Sequence, residues 1–314
     1  MSAKENLIVI LGPTATGKTE LAVNLAKKLR SRVISGDSML VYKGFDIGTA
    51  KPTIDEMQGV RHELIDILEP EESFSVADFV RLAKDKISEA NRNGEIPILA
   101  GGTGLYVKSL LEGYEFNQTT GDPVYRKQIE QLATEKGTEY VFSLLQDEDP
   151  VAAARVDAKN LRRIIRALEV HHLGGETISA SSKLAEDGLA YHTLVIGLRR
   201  ERKALYERIN KRVDMMIGNG LADEVRNLLK QGVSIDAPAM KGIGYKEIVE
   251  SLATGNDISV AADAIKAGTR HFAKRQFTWY RKMPYIRWYD VDLMSAGSLL
   301  DNVYETVEGY FAFR

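Results

Sequence analysis

Apolar runs alternate with helical patterns along the first hundred residues of the chain. Three short apolar runs, at residues 7–11, 32–37 and 95–100, end in glycine or polar turn residues, as buried strands do. Helical periodicity covers residues 20–30 and 76–91 between them. Because strands that alternate with helices form parallel sheets, this pattern predicts a parallel α/β core whose ligands bind at the carboxyl ends of the strands.

The alternation is interrupted between residues 115 and 190, where the strand signal disappears. Asp122 and Pro123 are typical of a helix start and Gly137 of its end, while residues 159–173 predict another helix. A helical segment that is bracketed by strands is most simply an insertion.

Strand and helix patterns resume after this segment. Residues 192–197 predict a strand, and residues 199–282 predict helices that are separated by glycines. The final stretch, residues 290–314, has a mixed composition that indicates no function.

The first apolar run leads directly into a glycine-rich loop. This loop has the pattern Gly-x-x-x-x-Gly-Lys-Thr and consists of Gly12, Pro13, Thr14, Ala15, Thr16, Gly17, Lys18 and Thr19. In such a P-loop the backbone amides face a phosphate, the lysine reaches the terminal phosphates and the threonine hydroxyl can hold Mg²⁺. The strand before it and the helix after it argue against a chance match. We therefore predict that the loop binds a diphosphate, with Thr19 as the metal ligand.

The patterns together predict an α/β fold with a P-loop NTPase-like parallel sheet core, a helical insertion domain and a helical C-terminal part. We assign the core to residues 1–114 and 191–314, and the insertion domain to residues 115–190.

Composition narrows the class of protein. The chain has 314 residues, of which 44% are hydrophobic and 27% charged, enough for a full core and more than one structural unit. It has no cysteine, which excludes disulfides, thiolate metal sites and cysteine nucleophiles. The apolar run at residues 7–11 is too short for a secretion signal and continues into the P-loop. We expect a cytoplasmic protein without a membrane partner.

Positive charge is concentrated near the end of the helical C-terminal part. Residues 266–287 contain no Asp or Glu, although the whole chain has a net charge of −2. The cations of this basic stripe are Lys266, Arg270, Lys274, Arg275, Arg281, Lys282 and Arg287. Cations bind phosphates and the interleaved aromatic rings can stack on unpaired bases, which favours looped RNA as a partner. The alternative is a solvated helix face whose aromatic residues belong to the core.

Asp37 is the candidate general base or metal-organising residue. An isolated Asp is more often a turn former or a helix cap, but Asp37 follows a predicted strand whose end lies beside the P-loop. The run Asn210-Lys-Arg-Val-Asp214 differs by one residue from the guanine-reading motif of GTPases and lies in a helical pattern, so we discard it as a base reader.

Several motifs, in this order and spacing, resemble the bacterial tRNA dimethylallyltransferases, also called tRNA isopentenyltransferases. The resemblance runs from the P-loop to about Trp279 and rests on residues 12–19, Ser35-Gly-Asp-Ser-Met-Leu-Val-Tyr42, Gly48-Thr-Ala-Lys-Pro52, Gly101-Gly-Thr-Gly-Leu-Tyr106, residues 162–170 and Lys274-Arg-Gln-Phe-Thr-Trp279. Gly36 departs from it, since a small apolar residue is usual there, and residues 121–125 lie in a variable region.

The resemblance implies transfer of a dimethylallyl group from its diphosphate to the exocyclic amine of an adenosine beside the anticodon of tRNA. The adenine amine is a weak nucleophile, so a carboxylate at Asp37 could accept its proton. Lys18, the P-loop amides and Mg²⁺ on Thr19 would stabilise the leaving diphosphate. The target base must leave its stack, which costs a few kcal/mol and less in loop RNA.

The resemblance also implies the functional residues. Asp37, Lys18, Thr103 and Arg208 would be catalytic, and the tRNA contacts would come from Asp37, Ser38, Met39, Leu40, Thr103, Arg126, Arg162, Arg163 and Arg166. The basic stripe adds Arg270 and Lys274 as predicted tRNA contacts. More ordinary roles are open for three of them: Thr103 as a helix cap, Arg208 as an ion-pair partner of Glu207 or Glu201, and Arg163 as a solvated charge.

We therefore expect an enzyme, a monomer, that grips the tRNA anticodon stem-loop between insertion and core and uses dimethylallyl diphosphate with Mg²⁺. The alternatives are a P-loop kinase for a small molecule or nucleoside, since a P-loop binds ATP equally well, and an RNA-stimulated NTPase or RNA-binding module. Phosphate transfer from ATP would identify the kinase, and RNA-dependent nucleotide hydrolysis the NTPase.

Overall fold

The computed structural model describes residues 4–114, 121–174 and 188–312. These residues form two compact units. One contains the described residues up to Glu112 and those from 188 onward, and the other lies within Gly113–Glu186.

The first unit is built on a parallel sheet of six strands among the described residues. The strands are β1 (Asn6–Leu11), β2 (Val33–Ser35), β3 (His62–Glu63), β4 (Ile98–Gly101), β5 (His192–Arg199) and β6 (Ile286–Asp290). Their order is β3-β2-β4-β1-β5-β6, and every neighbouring pair is parallel. The predicted α/β class with a parallel core is confirmed.

Thirteen α-helices lie in the described residues. They are α1 (Lys18–Leu29), α2 (Ile54–Met57), α3 (Val76–Arg92), α4 (Gly104–Leu111), α5 (Pro123–Lys136), α6 (Thr138–Glu148), α7 (Pro150–Ala153), α8 (Leu161–His172), α9 (Arg202–Gly218), α10 (Leu221–Lys230), α11 (Tyr245–Thr254), α12 (Ile258–Tyr280) and α13 (Ala296–Phe311). None of them is both long and apolar enough to cross a bilayer.

Strand β1 is the buried centre of the sheet. It pairs with β4 on one side and β5 on the other, and its side chains from Leu7 to Leu11 are fully buried. A parallel strand that is covered on both faces is apolar at every position, which explains the unbroken run in the sequence. On one face, Ile8 packs in a core with Leu25 of α1 and Val303 of α13.

Local sequence signals explain where the predicted helices begin and end. Ser75 caps α3 through a reciprocal capping box with Asp78. Asp122 caps α5, whose first residue is Pro123, and Gly137 ends it at a φ of 88°. Since each signal satisfies or removes an unpaired backbone group at a helix end, these boundaries were predictable to within a few residues.

The elements that were not predicted individually include α2, α6, α7, β3, β6 and α13. Strand β3 has only two residues, His62 and Glu63, so it has no measurable alternation. Strand β6 overlaps the end of the basic stripe and is five residues long, and its partly exposed edge position mixes polar and apolar side chains. Helix α13 gives residues 296–311 a role in the core, through Leu299, Val303 and Val307.

The second unit is helical throughout its described residues. Helices α5, α6, α7 and α8 enclose an apolar core that includes Ile129, Val141, Leu145 and Leu168. The predicted helices at residues 122–137 and 159–173 correspond to α5 and α8.

Candidate active site

The P-loop connects β1 to α1 in a conformation that only certain residues allow. Gly12, Ala15 and Gly17 have φ angles of 156°, 65° and 92°. A Cβ atom on Gly12 would lie 2.6 Å from the carbonyl oxygen of Leu198 on β5, so no side chain fits there. Gly17 precedes α1 without a side-chain cap, which leaves the first N–H groups of that helix available to an anion.

Lys18 is a cation in a setting that disfavours its charge. Burial, reinforced by the nearby Arg212 guanidinium, lowers the pKa of Lys18 to about 8, although Asp37 acts in the opposite direction. Its Nζ donates a hydrogen bond to the carbonyl oxygen of Pro13 at 2.8 Å. A bound anion would relieve the repulsion between the two cations, so this end of the site is suited to phosphate groups.

The loops after β2 and β4 touch through their backbones. A Cβ on Gly101 would lie 2.4 Å from the carbonyl carbon of Gly36, so only glycine fits at position 101. A Cβ on Gly36 would make contacts of 3.4 Å or longer, which is ordinary van der Waals distance. The small apolar residue that is usual at position 36 would therefore fit this backbone as well as glycine does.

This contact brings Thr103 to the segment around Asp37. The Thr103 amide donates to the carbonyl oxygen of Gly36 at 3.3 Å, and the Thr103 hydroxyl accepts a hydrogen bond from the Ser38 amide at 3.3 Å. Thr103 precedes α4, but its side chain makes no capping bond to that helix. The capping role considered from the sequence is therefore wrong for this side chain.

Asp37 both forms a turn and lines the cavity beside the P-loop. Its Oδ1 accepts a hydrogen bond from the amide of Met39 at 2.9 Å, as in a turn. Its carboxyl group also lines the cavity that contains Lys18 and Thr19. The turn bond fixes the carboxylate in place, and Oδ2 forms no hydrogen bond with the residues that the structure describes.

The cavity has a volume of about 360 Å³ and is lined by both charged and apolar groups. Its polar lining includes Thr14, Lys18, Thr19, Asp37, Ser38, Lys241, Arg212 and Arg275. Its apolar lining includes Met39, Leu40, Ile209, Val213, Met216, Ile243, Ile265 and Phe272. A ligand that suits both kinds of wall is a diphosphate with a short hydrocarbon chain.

Arg212, Lys241 and Arg275 were missed as individual site residues. Arg212 lies one helical turn after Arg208 on α9, and this i, i+4 spacing was the available signal. Burial lowers the pKa of Arg212, and the carboxylate of Asp37 offsets part of that effect. No local pattern distinguishes Lys241 or Arg275 from a solvated charge.

Arg208 contacts the P-loop itself. Its Nε donates to the carbonyl oxygen of Ala15 at 3.2 Å. In the described residues it forms no ion pair with Glu201 or Glu207, and Glu201 instead caps α9. The ion-pair role considered for Arg208 is therefore wrong, and the arginine lies where it can act on a ligand of the loop.

The basic stripe is only partly available to a partner. Lys266 forms an ion pair with Asp214 at 2.6 Å, and Arg270 donates to Asn210 Oδ1 at 2.7 Å. Lys274 is exposed. The hypothesis of a uniform cationic face is therefore corrected: Lys266 is neutralised within the protein, and Lys274 is the better candidate for a phosphate contact.

The aromatic residues of the stripe also differ from the expectation of stacking platforms. Tyr280 is 1% exposed, and its hydroxyl lies 3.0 Å from the carbonyl oxygens of Gly12 and Gly102. Phe277 packs against a small cluster that includes Ala15. For these two side chains the core alternative is correct.

The remaining predicted tRNA contacts lie in the second unit. Arg126 and Arg166 both bind the carboxylate of Glu169, which is fully buried, and Arg162 and Arg163 are exposed. Burial favours the neutral form of Glu169, but its bonds to Arg166 and Arg126 outweigh this and lower its pKa. Glu169 therefore holds two of the four arginines in place.

Three comparisons relate the chain to known proteins. Residues 40–283 match the family described as IPP transferase. The tRNA dimethylallyltransferase of Bacillus anthracis is 44% identical over 98% of this chain and 96% of that protein. The tRNA isopentenylpyrophosphate transferase of Bacillus halodurans has a crystal structure that covers 98% of this chain and 97% of its own, with 42% identity and a TM-score of 0.73. A eukaryotic dimethylallyltransferase acting on tRNA covers 91% of this chain and 74% of its own, at 28% identity and a TM-score of 0.78.

The lowered pKa of Lys18 predicts how anion binding depends on pH. A bound diphosphate stabilises the ammonium form and raises its pKa, so affinity is highest below pH 8 and falls as the free protein loses this proton. We expect the affinity for an alkyl diphosphate, whose own last ionisation is near pH ~6, to fall about tenfold between pH 7 and pH 9. Isothermal titration calorimetry at each pH would measure it.

The matched control is Lys18→Arg, because a guanidinium stays charged over this range. Its affinity should be the same at pH 7 and pH 9. A flat pH profile for the wild-type protein would contradict the lowered pKa.

Proposed function

The chain belongs to the IPP transferase family, and we propose that it transfers the dimethylallyl group of dimethylallyl diphosphate to the exocyclic amine of the adenosine on the 3′ side of the anticodon in tRNA. It is a prenyltransferase that acts on tRNA, as the motifs predicted. The observation that carries the finer assignment is the cavity, in which a phosphate-binding loop, a carboxylate and apolar walls meet.

The P-loop end of the cavity would hold the diphosphate. The first amides of α1, the Lys18 ammonium and the Arg212 guanidinium are the groups that would contact its oxygens. As the allylic C–O bond breaks, negative charge accumulates on the departing diphosphate, and donors that are already in place stabilise that charge without reorganising.

Thr19 is the residue that would contribute to a Mg²⁺ site. The described residues contain no group of three or more His, Asp or Glu side chains that could hold a metal ion alone. Thr19 lines the cavity beside Lys18, and Mg²⁺ is commonly held by few protein oxygens together with substrate phosphates. The donor set therefore fits Mg²⁺, which when bound would neutralise charge on the diphosphate.

Asp37 would accept the proton of the amine. The adenine nitrogen forms a bond to the first carbon of the allyl group, the bond from that carbon to the diphosphate oxygen breaks, and the nitrogen gives one proton to the carboxylate. The Met39 amide holds one carboxylate oxygen, which leaves Oδ2 to receive it. Thr103 would position the same segment through its bond to Ser38.

The apolar walls would keep water from the reacting carbon. Allylic C–O cleavage develops cationic character, and water would capture such a carbon in place of the amine. Val213 and Met216 of α9, with Ile265 and Phe272 of α12, give that part of the cavity a mostly apolar wall. These walls favour prenyl transfer over the kinase alternative, which uses the same loop but needs no hydrocarbon pocket.

We propose the tRNA contacts that the sequence predicted, but we now favour the exposed Lys274 over Arg270. In the first unit we assign them to the loop of Ser38, Met39 and Leu40 and to the exposed Lys274, with Arg270 held by Asn210. In the second unit, which we take as the insertion domain of residues 115–190, we assign them to Arg126, Arg162, Arg163 and Arg166. We further propose that the enzyme is cytoplasmic, since that is where tRNA is processed, and monomeric.

A direct assay tests the reaction. The purified protein is incubated with labelled dimethylallyl diphosphate, Mg²⁺ and bulk tRNA, and the tRNA is then digested to nucleosides. We expect label in N6-(dimethylallyl)adenosine. Phosphate transfer from ATP, or RNA-dependent ATP hydrolysis, without labelled nucleoside would support the kinase or NTPase alternative instead.

Replacing Asp37 tests its role as the base. Asp37→Asn keeps the acceptor for the Met39 amide but removes most of the basicity, so both substrates should bind while single-turnover transfer falls roughly 10²–10⁴-fold. Asp55→Asn, on the exposed face of α2, is the matched control and should transfer at the wild-type rate. If the variant instead loses its Mg²⁺ dependence, or loses diphosphate binding, Asp37 is a metal organiser and not the base.

Replacing Lys274 tests the phosphate contact on α12. Lys274→Gln should weaken tRNA binding for all sequences and reduce the slope of log affinity against log salt by about 1. The control Lys230→Gln removes an equally exposed lysine at the end of α10 and should leave the slope unchanged. An unaltered slope in the Lys274 variant would make that lysine a solvated charge.

A further inference from the structure

Helix α12 turns two buried polar side chains toward the loops of the active site. Gln276 is 3% exposed and Tyr280, one helical turn later, is 1% exposed. The residues between and before them include Lys274, Arg275 and Thr278, all of which are exposed. A buried glutamine is costly unless both ends of its amide are bonded, so its partners indicate what it does.

Both ends of the Gln276 amide bind backbone of the active-site loops. Its Oε1 accepts a hydrogen bond from the Thr14 amide in the P-loop at 3.0 Å. Its Nε2 donates to the carbonyl oxygen of Gly102, after β4, at 2.9 Å. A Cβ on Gly102 would lie 2.4 Å from Nε2, so this bond requires glycine at position 102. One side chain therefore joins the two loops.

Tyr280 adds a second link between the same loops. Its hydroxyl lies 3.0 Å from the carbonyl oxygens of both Gly12 and Gly102. Burial raises the pKa of Tyr280, so the hydroxyl remains a donor at neutral pH. The hydroxyl has one proton, which it shares between these two carbonyl oxygens, so Tyr280 supplements the bond of Gln276 to Gly102 and also contacts the P-loop at Gly12.

The link continues to the proposed base. Gly102 is followed by Thr103, whose amide binds Gly36 and whose hydroxyl binds the Ser38 amide. Any shift of the Gly102 carbonyl therefore moves Thr103 and, with it, the turn that holds Asp37. The leaving diphosphate would lie on the P-loop and the attacking amine at Asp37, so the separation of these two loops sets the geometry of the transfer.

We infer that Gln276 is a positioning residue of the transfer reaction: by bonding Thr14 and Gly102 together, and assisted by Tyr280, it holds the diphosphate loop and the Thr103–Asp37 segment at their working separation. This inference rests on the proposed function. A positioning role differs from an ordinary packing role because the loss of Gln276 would slow the chemical step more than it would weaken the binding of either substrate. A misplacement of about 1 Å costs up to roughly 10²-fold in rate.

A Gln276→Glu variant gives a pH-dependent test. When the introduced carboxyl is neutral, its carbonyl accepts from Thr14 and its O–H donates to Gly102, which restores both bonds. When it is ionised, it cannot donate to Gly102 and repels that carbonyl. Burial raises the pKa of such a carboxyl above the usual ~4.3, so the change from the neutral to the ionised form occurs closer to neutral pH.

Single-turnover transfer is measured from pH 6 to pH 8.5, with both substrates saturating, and each rate is divided by the wild-type rate at the same pH. We expect the ratio to be about 0.1 or lower at pH 8.5 and to rise as the pH falls, while the affinities for prenyl diphosphate and tRNA stay within about threefold of wild type. A ratio of 1 at every pH, a loss that is the same at every pH, or a rate loss matched by lost diphosphate affinity would overturn the inference.

If the Gln276→Glu variant does not fold, Tyr280→Phe provides the test and Thr278→Val its control. Tyr280→Phe keeps the ring and removes only the hydroxyl, so we expect unchanged substrate affinities and a several-fold lower transfer rate, and a wild-type rate would overturn the inference. Thr278→Val, which is exposed on the same helix, should transfer normally. Absence of transfer by the wild-type protein would instead overturn the proposed function itself.

Discussion

The close approach of Gly101 to Gly36 is the contact on which the rest of the active site depends. It lets the ends of β2 and β4 meet through backbone alone, at a place where a Cβ on Gly101 would lie 2.4 Å from the neighbouring carbonyl carbon. Thr103 is thereby near enough to bind Ser38, and Asp37 enters the cavity that begins at the P-loop. A parallel sheet brings strand ends to one edge, and this contact, with the bond from the Gly36 amide to the Ala100 carbonyl oxygen at 2.8 Å, brings the loops beyond them within bonding distance.

The protein treats fully or partly buried positive charge in two different ways near the two ends of β2. Before the strand, Arg32 is 4% exposed and is paired with Glu63, Glu89 and Glu95, so its charge is fully compensated. Beyond the strand, neither Lys18 nor Arg212 forms an ion pair with a described residue. A paired charge avoids the cost of an uncompensated buried charge, whereas two neighbouring cations without carboxylate partners attract an anion.

The sequence predicted the features that depend on local chemistry. The P-loop, the strands at its sides and the caps of α3 and α5 follow from short patterns, and the resemblance supplied Asp37 and Thr103 as candidates. Gln276 and the hydroxyl of Tyr280 could not be predicted, because their partners are backbone atoms more than 170 positions away in the chain. The sequence also could not show which cations of the basic stripe are paired, because Asp214, the partner of Lys266, lies on another helix.

The position of α13 has a consequence for the order in which the protein assembles. Strand β1 is made first, yet one of its partners is β5, and the side chains that cover Ile8 and Leu25 include Val303 near the end of the described chain. Contacts between such distant parts close slowly, because a long loop must be ordered before they form. A nascent chain therefore carries its P-loop on an incomplete core until α13 has been synthesised, and its apolar surface stays exposed throughout that interval.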